Sequence, residues 1–193
     1  MFGSIGYNLS HLLDFKGRDA RQTFWYFVLF VVVLYFIASM LALIPMMGSV
    51  MGEAIQSAQS GATEQETQER VLHALGPQLA TSIWISAITN LVATLLLMAS
   101  FVRRLHDSGN SGWWAVLALV IKLGALALAV SQIGEVQEAV VAASDPAQLQ
   151  QMGMRDQNLL GLVGWLAPII VIVFGVMKST DGPNRYGEAP VVF

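Results

Sequence analysis

Residues 101–114 read FVRRLHDSGNSGWW and hold the densest group of chemically capable side chains in the chain. Two arginines, a histidine and an aspartate stand within five positions, and two tryptophans follow a Ser-Gly-Asn-Ser-Gly turn. Arginine forks bind phosphate or carboxylate. A metal site on His106 and Asp107 is disfavoured, because adjacent helical residues point about 100° apart and the other two histidines are distant in the sequence. No nucleophile motif or phosphate-binding glycine loop accompanies the stretch, so we predict no catalytic residues, metal or cofactor.

Two further polar motifs are predicted to lie with this stretch at one end of the chain's apolar segments, on the same side of a membrane. They read GRDARQTFW at 17–25 and DGPNRYG at 181–187. The predicted polar cluster comprises Arg18, Arg21, Trp25, Arg103, Arg104, His106, Asp107, Trp113, Trp114, Asp181, Asn184 and Arg185. Three interpretations remain open: arginines that contact lipid headgroups, which we favour, an ion-pair knot that locks the three motifs together, and a ligand or catalytic site.

The elements that position these motifs are apolar segments long enough to cross a membrane. The chain has 193 residues, of which 55% are hydrophobic and 12% charged, and no cysteine. A membrane helix needs about 20 mostly apolar residues. Four segments qualify, at about 24–44, 79–102, 112–133 and 159–177, with outer loops at 45–78 and 134–158. We therefore predict a single all-α membrane domain, a four-span helical bundle with short amphipathic helices on both faces.

The basic residues predict the orientation of this bundle. Seven of the ten lysines and arginines fall in the N-terminal segment, in the 103–111 loop or in the C-terminal tail. Short loops rich in lysine and arginine stay in the cytoplasm. Both termini and the FVRRLHDSGNSGWW loop are therefore predicted to be cytoplasmic, and the two acidic loops are predicted to lie outside.

Short helices are predicted in the loops and at the N-terminus. Thr63-Glu64-Gln65-Glu66 is a capping box, which predicts a helix from Glu64 that stops at Gly76-Pro77. Asp145-Pro146 resembles a second helix start. Residues 50–62 are predicted to be mobile, and Pro45 to end the first span. Near the N-terminus, apolar residues on one face predict a helix in the cytoplasmic interface, namely Ile5, Leu9, Leu12 and Leu13.

Lys122 is the one charged residue within a predicted span. It lies about 15 Å along the third span from Gly112, and Asn90 lies about 18 Å from the cytoplasmic end of the second. We expect Lys122 to face other helices and to contact Asn90, a backbone carbonyl or water. Snorkelling towards a headgroup and an ion or proton pathway are the alternatives.

The three polar motifs, their order and the four apolar segments resemble the bacterial inner-membrane family called domain of unknown function 805. The most specific element is RRLHD at 103–107 followed by GWW at 112–114. The resemblance covers nearly the whole chain and implies a multi-span inner-membrane protein. It implies no activity, since none is assigned to the family.

These observations favour a non-catalytic membrane module whose cytoplasmic rim binds anionic lipid or a partner protein. One alternative is a small oligomeric transporter or channel that uses Lys122. A second is a membrane enzyme acting on a lipid phosphate through Arg103, Arg104, His106 and Asp107. The partners expected are membrane lipids with anionic headgroups, and a protein partner or further copies of the chain are the alternatives. Nucleic acid is not expected, because the basic residues are few and close to the membrane.

Overall fold

The structure is a computed structural model that describes residues 1–142 and 163–190. These residues form six α-helices and contain no β-strand, only an isolated bridge between Asn184 and Gly187. The helices are α1 (Phe2–Ser10), α2 (Arg21–Ser60), α3 (Glu64–Asp107), α4 (Trp113–Ser131), α5 (Ile133–Ala142) and α6 (Val163–Val176). The all-α class predicted from the sequence is thus observed.

Three helical stretches are long and apolar enough to cross a membrane: α2 (Arg21–Ser60), α3 (Glu64–Asp107) and Trp113–Val140, which comprises α4 and most of α5. The described part of the fourth predicted span is the shorter apolar helix α6. Its 14 residues extend about 21 Å, less than the roughly 30 Å of a bilayer's hydrocarbon core. The lengths therefore support three spans among the described residues. Positions 159–162 of the predicted fourth span lie outside that part.

The helices α2 and α3 continue well beyond the predicted span ends. Pro45 lies inside α2 and Pro77 inside α3, so neither proline ends its helix. A proline removes one backbone hydrogen bond, which a long helix with many other bonds tolerates. Residues 50–60, predicted to be mobile, are helical. Most of the predicted outer loop at 45–78 therefore belongs to two long helices.

The turn between α2 and α3 has the predicted capping box. The backbone N–H of Thr63 donates to Glu66 Oε2 at 2.9 Å, and the N–H of Glu66 donates to Thr63 Oγ1 at 3.3 Å. Gly61 has a φ of +68°, which suits the residue that reverses the chain after α2. The sequence thus predicted where α3 begins but not that it continues through Pro77. The predicted second cap, at Asp145-Pro146, lies outside the described residues.

The N-terminal helix α1 is present but shorter than the predicted apolar face, which extends to Leu13. It ends at Ser10, so Leu12 and Leu13 lie beyond it. Its buried residues are Ser4 and Asn8, and Leu13 is 88% exposed. The inward face of α1 is polar because Asn8 accepts a hydrogen bond from an arginine of α3.

The described residues divide into two compact units, which contain respectively residues 1–36, 90–124 and 163–190, and residues 37–89 and 125–142. The first unit contains all three polar motifs. Its buried core consists of Phe24, Phe101, Val102, Leu105, Ala115, Ala118 and Ala167. Alanines on α4 and α6 allow close packing against the larger side chains of α2 and α3. This core lies next to the C-terminal end of α3, where the polar residues begin.

Candidate functional site

The C-terminal end of α3 organises the polar site. Gly109 has a φ of +76°, and its N–H donates to His106 O at 3.1 Å while the N–H of Asn110 donates to Leu105 O at 2.8 Å. This pair of bonds is a Schellman motif, which needs a residue in the left-handed region at the position of Gly109. Gly109 therefore ends α3, and the turn that it allows satisfies two of the last carbonyls of the helix.

Two distant segments also donate hydrogen bonds to the carbonyls at this helix end. The N–H of Asp19 donates to Arg103 O at 3.1 Å, and the N–H of Thr180 donates to Asp107 O at 2.9 Å. The side-chain amide of Asn184 donates to His106 O at 2.9 Å. Buried helix ends require such partners. The three polar motifs converge here, around one helix terminus.

Three arginines and two aspartates form a buried network that we call the arginine cluster: Arg18, Asp19, Arg103, Arg104 and Asp107. Arg18 reaches Asp107 from a different segment. Its Nε and Nη2 donate to Asp107 Oδ1 at 3.1 and 3.0 Å. Its Nη1 donates to Gly182 O at 2.6 Å, and Nη2 also donates to Thr180 O at 2.8 Å. One guanidinium thus ties the chain before α2 to α3 and to the C-terminal segment.

Arg104 joins the same carboxylate to the end of α6. Its Nη1 donates to Asp107 Oδ2, Nη2 to Met177 O, and Nε to Gly175 O at 3.1 Å. Ser179 Oγ donates to Asp107 Oδ2 at 2.5 Å. Cations are stabilised near a helix C-terminus, where carbonyls lack intrahelical donors. Arg104 therefore caps α6 while it pairs with Asp107.

Arg103 forms the second ion pair, on the side of α1. Its Nε donates to Asp19 Oδ1 at 3.0 Å, Nη2 to Asn8 Oδ1 at 2.6 Å, and Nη1 to His11 O at 2.9 Å. Ser100 Oγ donates to Asp19 Oδ2 at 2.9 Å. Burial raises the pKa of the Asp19 carboxyl above its usual value, and the hydrogen bonds from Arg103 and Ser100 oppose that shift.

His106 and the DGPNRYG motif make a stacked layer beside this network. The rings of His106 and Tyr186 lie 3.9 Å apart at 7°. His106 Nδ1 lies 3.3 Å from Gly17 O. The Arg185 guanidinium lies over the Tyr186 ring, 4.7 Å from its centroid, and donates to Gly109 O at 3.2 Å. His106 thus serves as a packing and hydrogen-bonding residue here.

The other predicted site residues lie outside the buried network. Arg21 is exposed, and Asp181 pairs with Lys178 at 3.1 Å rather than with an arginine. Trp113 is 75% exposed, whereas Trp114 packs against Phe174 with ring centroids 5.0 Å apart. Trp25 Nε1 donates to Gly175 O at 3.1 Å. The predicted set thus separates into a buried network and an exposed rim.

Several residues bound to the arginines and aspartates of the cluster were not among the predicted site residues, namely Asn8, Asp19, Ser100, Ser179 and Thr180. Asp19 stands beside Arg18 inside the motif at 17–25, so its charge is a usable signal. Asn8 and Ser4, four residues apart on α1, form a small polar stripe that an apolar-face analysis overlooks. The short hydroxyl residues before DGPNRYG carried no distinctive signal.

Lys122 and Asn90 lie on the walls of one cavity within the first unit. The expected contact between them is not formed: neither side chain makes a hydrogen bond to any residue that the structure describes. The described residues thus provide neither the Asn90 nor the backbone-carbonyl contact predicted for Lys122, and the contact with water stays a prediction. The reason is that the intervening space is a cavity rather than a packed contact.

The arginine cluster offers little to a reacting substrate. The carboxylates of Asp19 and Asp107 accept bonds from arginine and serine, and both residues are buried. Within residues 1–142 and 163–190, no three histidines or carboxylates come together as a metal site would require. The geometry is that of a structural clamp.

Comparison with known proteins finds similarity over nearly the whole chain. The chain is 22% identical to the Inner membrane protein YhaH of Escherichia coli strain K12 and to the same protein of Escherichia coli O157:H7, over 182 residues that cover 94% of this chain and 91% of each relative. No solved structure matches the chain. The profile of the Protein of unknown function (DUF805) family matches residues 12–188, a range that includes α2 to α6 and all three polar motifs. The chain therefore belongs to the DUF805 family.

Proposed function

We propose that this chain is a non-catalytic module of the bacterial inner membrane, with both termini in the cytoplasm and an exposed basic rim that binds anionic lipid headgroups. The observation that carries the proposal is the division of the basic residues. Arg18, Arg103 and Arg104 are buried and bound by internal acceptors, whereas Lys16 and Arg21 are exposed and make no ion pair among the described residues.

The surroundings of the exposed cations suit a membrane interface. Lys16 follows two exposed apolar residues, Leu13 and Phe15, and Trp113 is exposed at the start of α4. Aromatic rings collect at the headgroup level of membranes, and a basic residue near an anionic surface contributes about 1 kcal/mol of attraction. The inner-membrane name of the relatives supports the same location.

The arginine cluster supports a non-catalytic role. Its carboxylates already pair with arginines, and His106 is held between Gly17 O and the Tyr186 ring. A group that serves as an acid, base or nucleophile must reach its substrate. We infer that the cluster instead fixes the positions of the exposed basic residues of the rim, Lys16 and Arg21.

The test compares the stability of the full chain in bilayer discs of phosphatidylglycerol and of phosphatidylcholine. We expect a higher melting temperature in phosphatidylglycerol at low salt, because headgroup binding stabilises the folded state. Lys16→Gln/Arg21→Gln should lose most of this difference in melting temperature. The two removed charges together contribute about 2 kcal/mol of attraction to an anionic surface. Arg185 is left unchanged because it also contacts Gly109 and Tyr186.

Arg70→Gln/Lys178→Gln is the matched control. It removes the same charge, but Arg70 belongs to the second unit and Lys178 already pairs with Asp181. This variant should keep the lipid dependence of the wild type. Equal lipid dependence in both double variants would contradict the proposed rim.

A further inference from the structure

A cavity of about 620 Å³ lies within the first unit, and its volume falls in the range that holds one drug-sized ligand. Side chains of α2, α3, α4 and α6 line it, and most are apolar, including Trp25, Tyr35 and Trp165. The cavity is separate from the buried ion pairs of the arginine cluster, none of whose residues line it.

Two polar side chains, Lys122 and Asn90, interrupt these largely apolar walls. Lys122 and Asn90 both line the cavity, and neither side chain has a hydrogen-bond partner among the described residues. Two further wall residues carry hydroxyl groups, Tyr35 and Thr94, and the Thr94 hydroxyl already donates to Asn90 O at 2.8 Å. Lys122 stands nine positions after Trp113, about 14 Å along α4 by the helical rise. A lysine at such depth costs roughly 2.5–3.5 kcal/mol on insertion scales, so a complementary anion would offset a substantial cost.

We propose that the cavity binds a single-chain amphiphile with a carboxylate head, such as a long-chain fatty acid. The carboxylate pairs with the Lys122 ammonium and accepts a hydrogen bond from the Asn90 amide. The hydrocarbon chain packs against the apolar walls near Trp25 and Trp165. Ionised hydrogen bonds of this type are the stronger ones, and a preformed apolar cavity with a few polar groups is the usual form of a ligand site.

The depth of Lys122 favours a carboxylic acid over a phospholipid. A carboxylate is a small head group with one charge, which the Lys122 ammonium can neutralise below the headgroup level. A phosphodiester keeps its charge and remains at the headgroup level. A two-chain phospholipid is also larger than the ligands that cavities of this volume hold. The inference is independent of the proposed basic rim, since Lys16 and Arg21 do not line the cavity.

The experiment measures oleate binding to the purified full chain in a neutral detergent, by displacement of dansyl-undecanoic acid. We expect saturable binding near one oleate per chain, and weaker binding of oleyl alcohol, which lacks the charge. Lys122→Met should weaken oleate binding by about tenfold or more, as expected for the loss of a charge-assisted contact, and should leave oleyl alcohol binding unchanged. Lys178→Met, which removes an exposed and already paired lysine, should bind as the wild type does.

A second variant keeps the test informative if Lys122→Met fails to fold. Leu119 lines the same cavity, so Leu119→Trp should weaken oleate and oleyl alcohol binding together while Lys122 remains. Helical circular dichroism and the melting temperature report folding for each variant. The proposal is overturned by equal affinities for oleate and oleyl alcohol, by oleate binding unaffected in Lys122→Met, by binding that does not saturate, or by displacement of the probe with phosphatidylglycerol but not with oleate.

Discussion

Asp107 joins three segments of the chain through four side-chain hydrogen bonds. It accepts two from Arg18, one from Arg104 and one from Ser179. The cluster contains three arginines and two aspartates, so the ion pairs alone do not balance its charge. The carbonyls at the C-terminus of α6 supply the remaining negative potential, since Arg104 binds them directly.

We predict that Asp107→Asn strongly destabilises the protein. The variant leaves Arg18 and Arg104 buried without their carboxylate, and the loss of one member of a buried ion pair costs about 3–5 kcal/mol. The measurement is thermal unfolding of the purified chain in detergent, followed by circular dichroism.

Asp181→Asn provides the matched control for this prediction. The same chemical change breaks an ion pair whose side chains are 76% and 88% exposed, so the melting temperature should stay close to the wild-type value. Wild-type stability of Asp107→Asn would show that the buried network is not required for the fold.

At the scale of elements, α6 approaches the N-terminal part of α2 at Gly175. A Cβ atom at this position would lie 2.9 Å from both Phe24 Cε1 and Trp25 Cζ2. The carbonyl of Gly175 also accepts from Trp25 Nε1 and Arg104 Nε. The glycine therefore allows a helix contact and two hydrogen bonds in the same place.

We predict that Gly175→Ala lowers the stability by about 1–3 kcal/mol, because the added methyl group pushes α6 away from the rings of Phe24 and Trp25. Gly164→Ala, in the same helix, is the control: a Cβ there meets none of the described residues within 4 Å, and alanine favours the helix. Denaturation of both variants distinguishes the two effects. Equal stabilities for the two alanine variants would contradict the close approach.

At the scale of the whole molecule, the distribution of charge predicts the orientation in the membrane. We expect Glu188→Cys to be labelled only from the cytoplasm and Gln59→Cys only from outside, because most lysines and arginines lie in the termini and the 103–111 loop. Both native residues are exposed, and the chain has no other cysteine. A membrane-impermeant maleimide applied to intact cells makes the measurement. Labelling of Glu188→Cys under these conditions would reverse the predicted orientation.

Sequence patterns located the elements better than they located their ends. Apolar length identified three helical stretches long enough to cross a membrane, although the described part of the fourth predicted span is too short. The Thr63–Glu66 capping box identified where α3 begins. The interior prolines Pro45 and Pro77 misled the prediction of helix ends, because loss of one hydrogen bond is small beside the many that a helix of 40 or 44 residues retains.

The sequence by itself determined the membrane class, the all-α fold and the three polar motifs, because composition and residue spacing act locally along the chain. Only the tertiary structure decided which arginines are buried. Arg21 and Arg18 stand three positions apart, yet Arg21 is exposed and Arg18 contacts Asp107, 89 residues away. Likewise, only the packing of four helices leaves Lys122 beside a cavity instead of against Asn90. Which residues pair within the fold depends on contacts between segments that are distant in the sequence, and no local sequence pattern encodes those contacts.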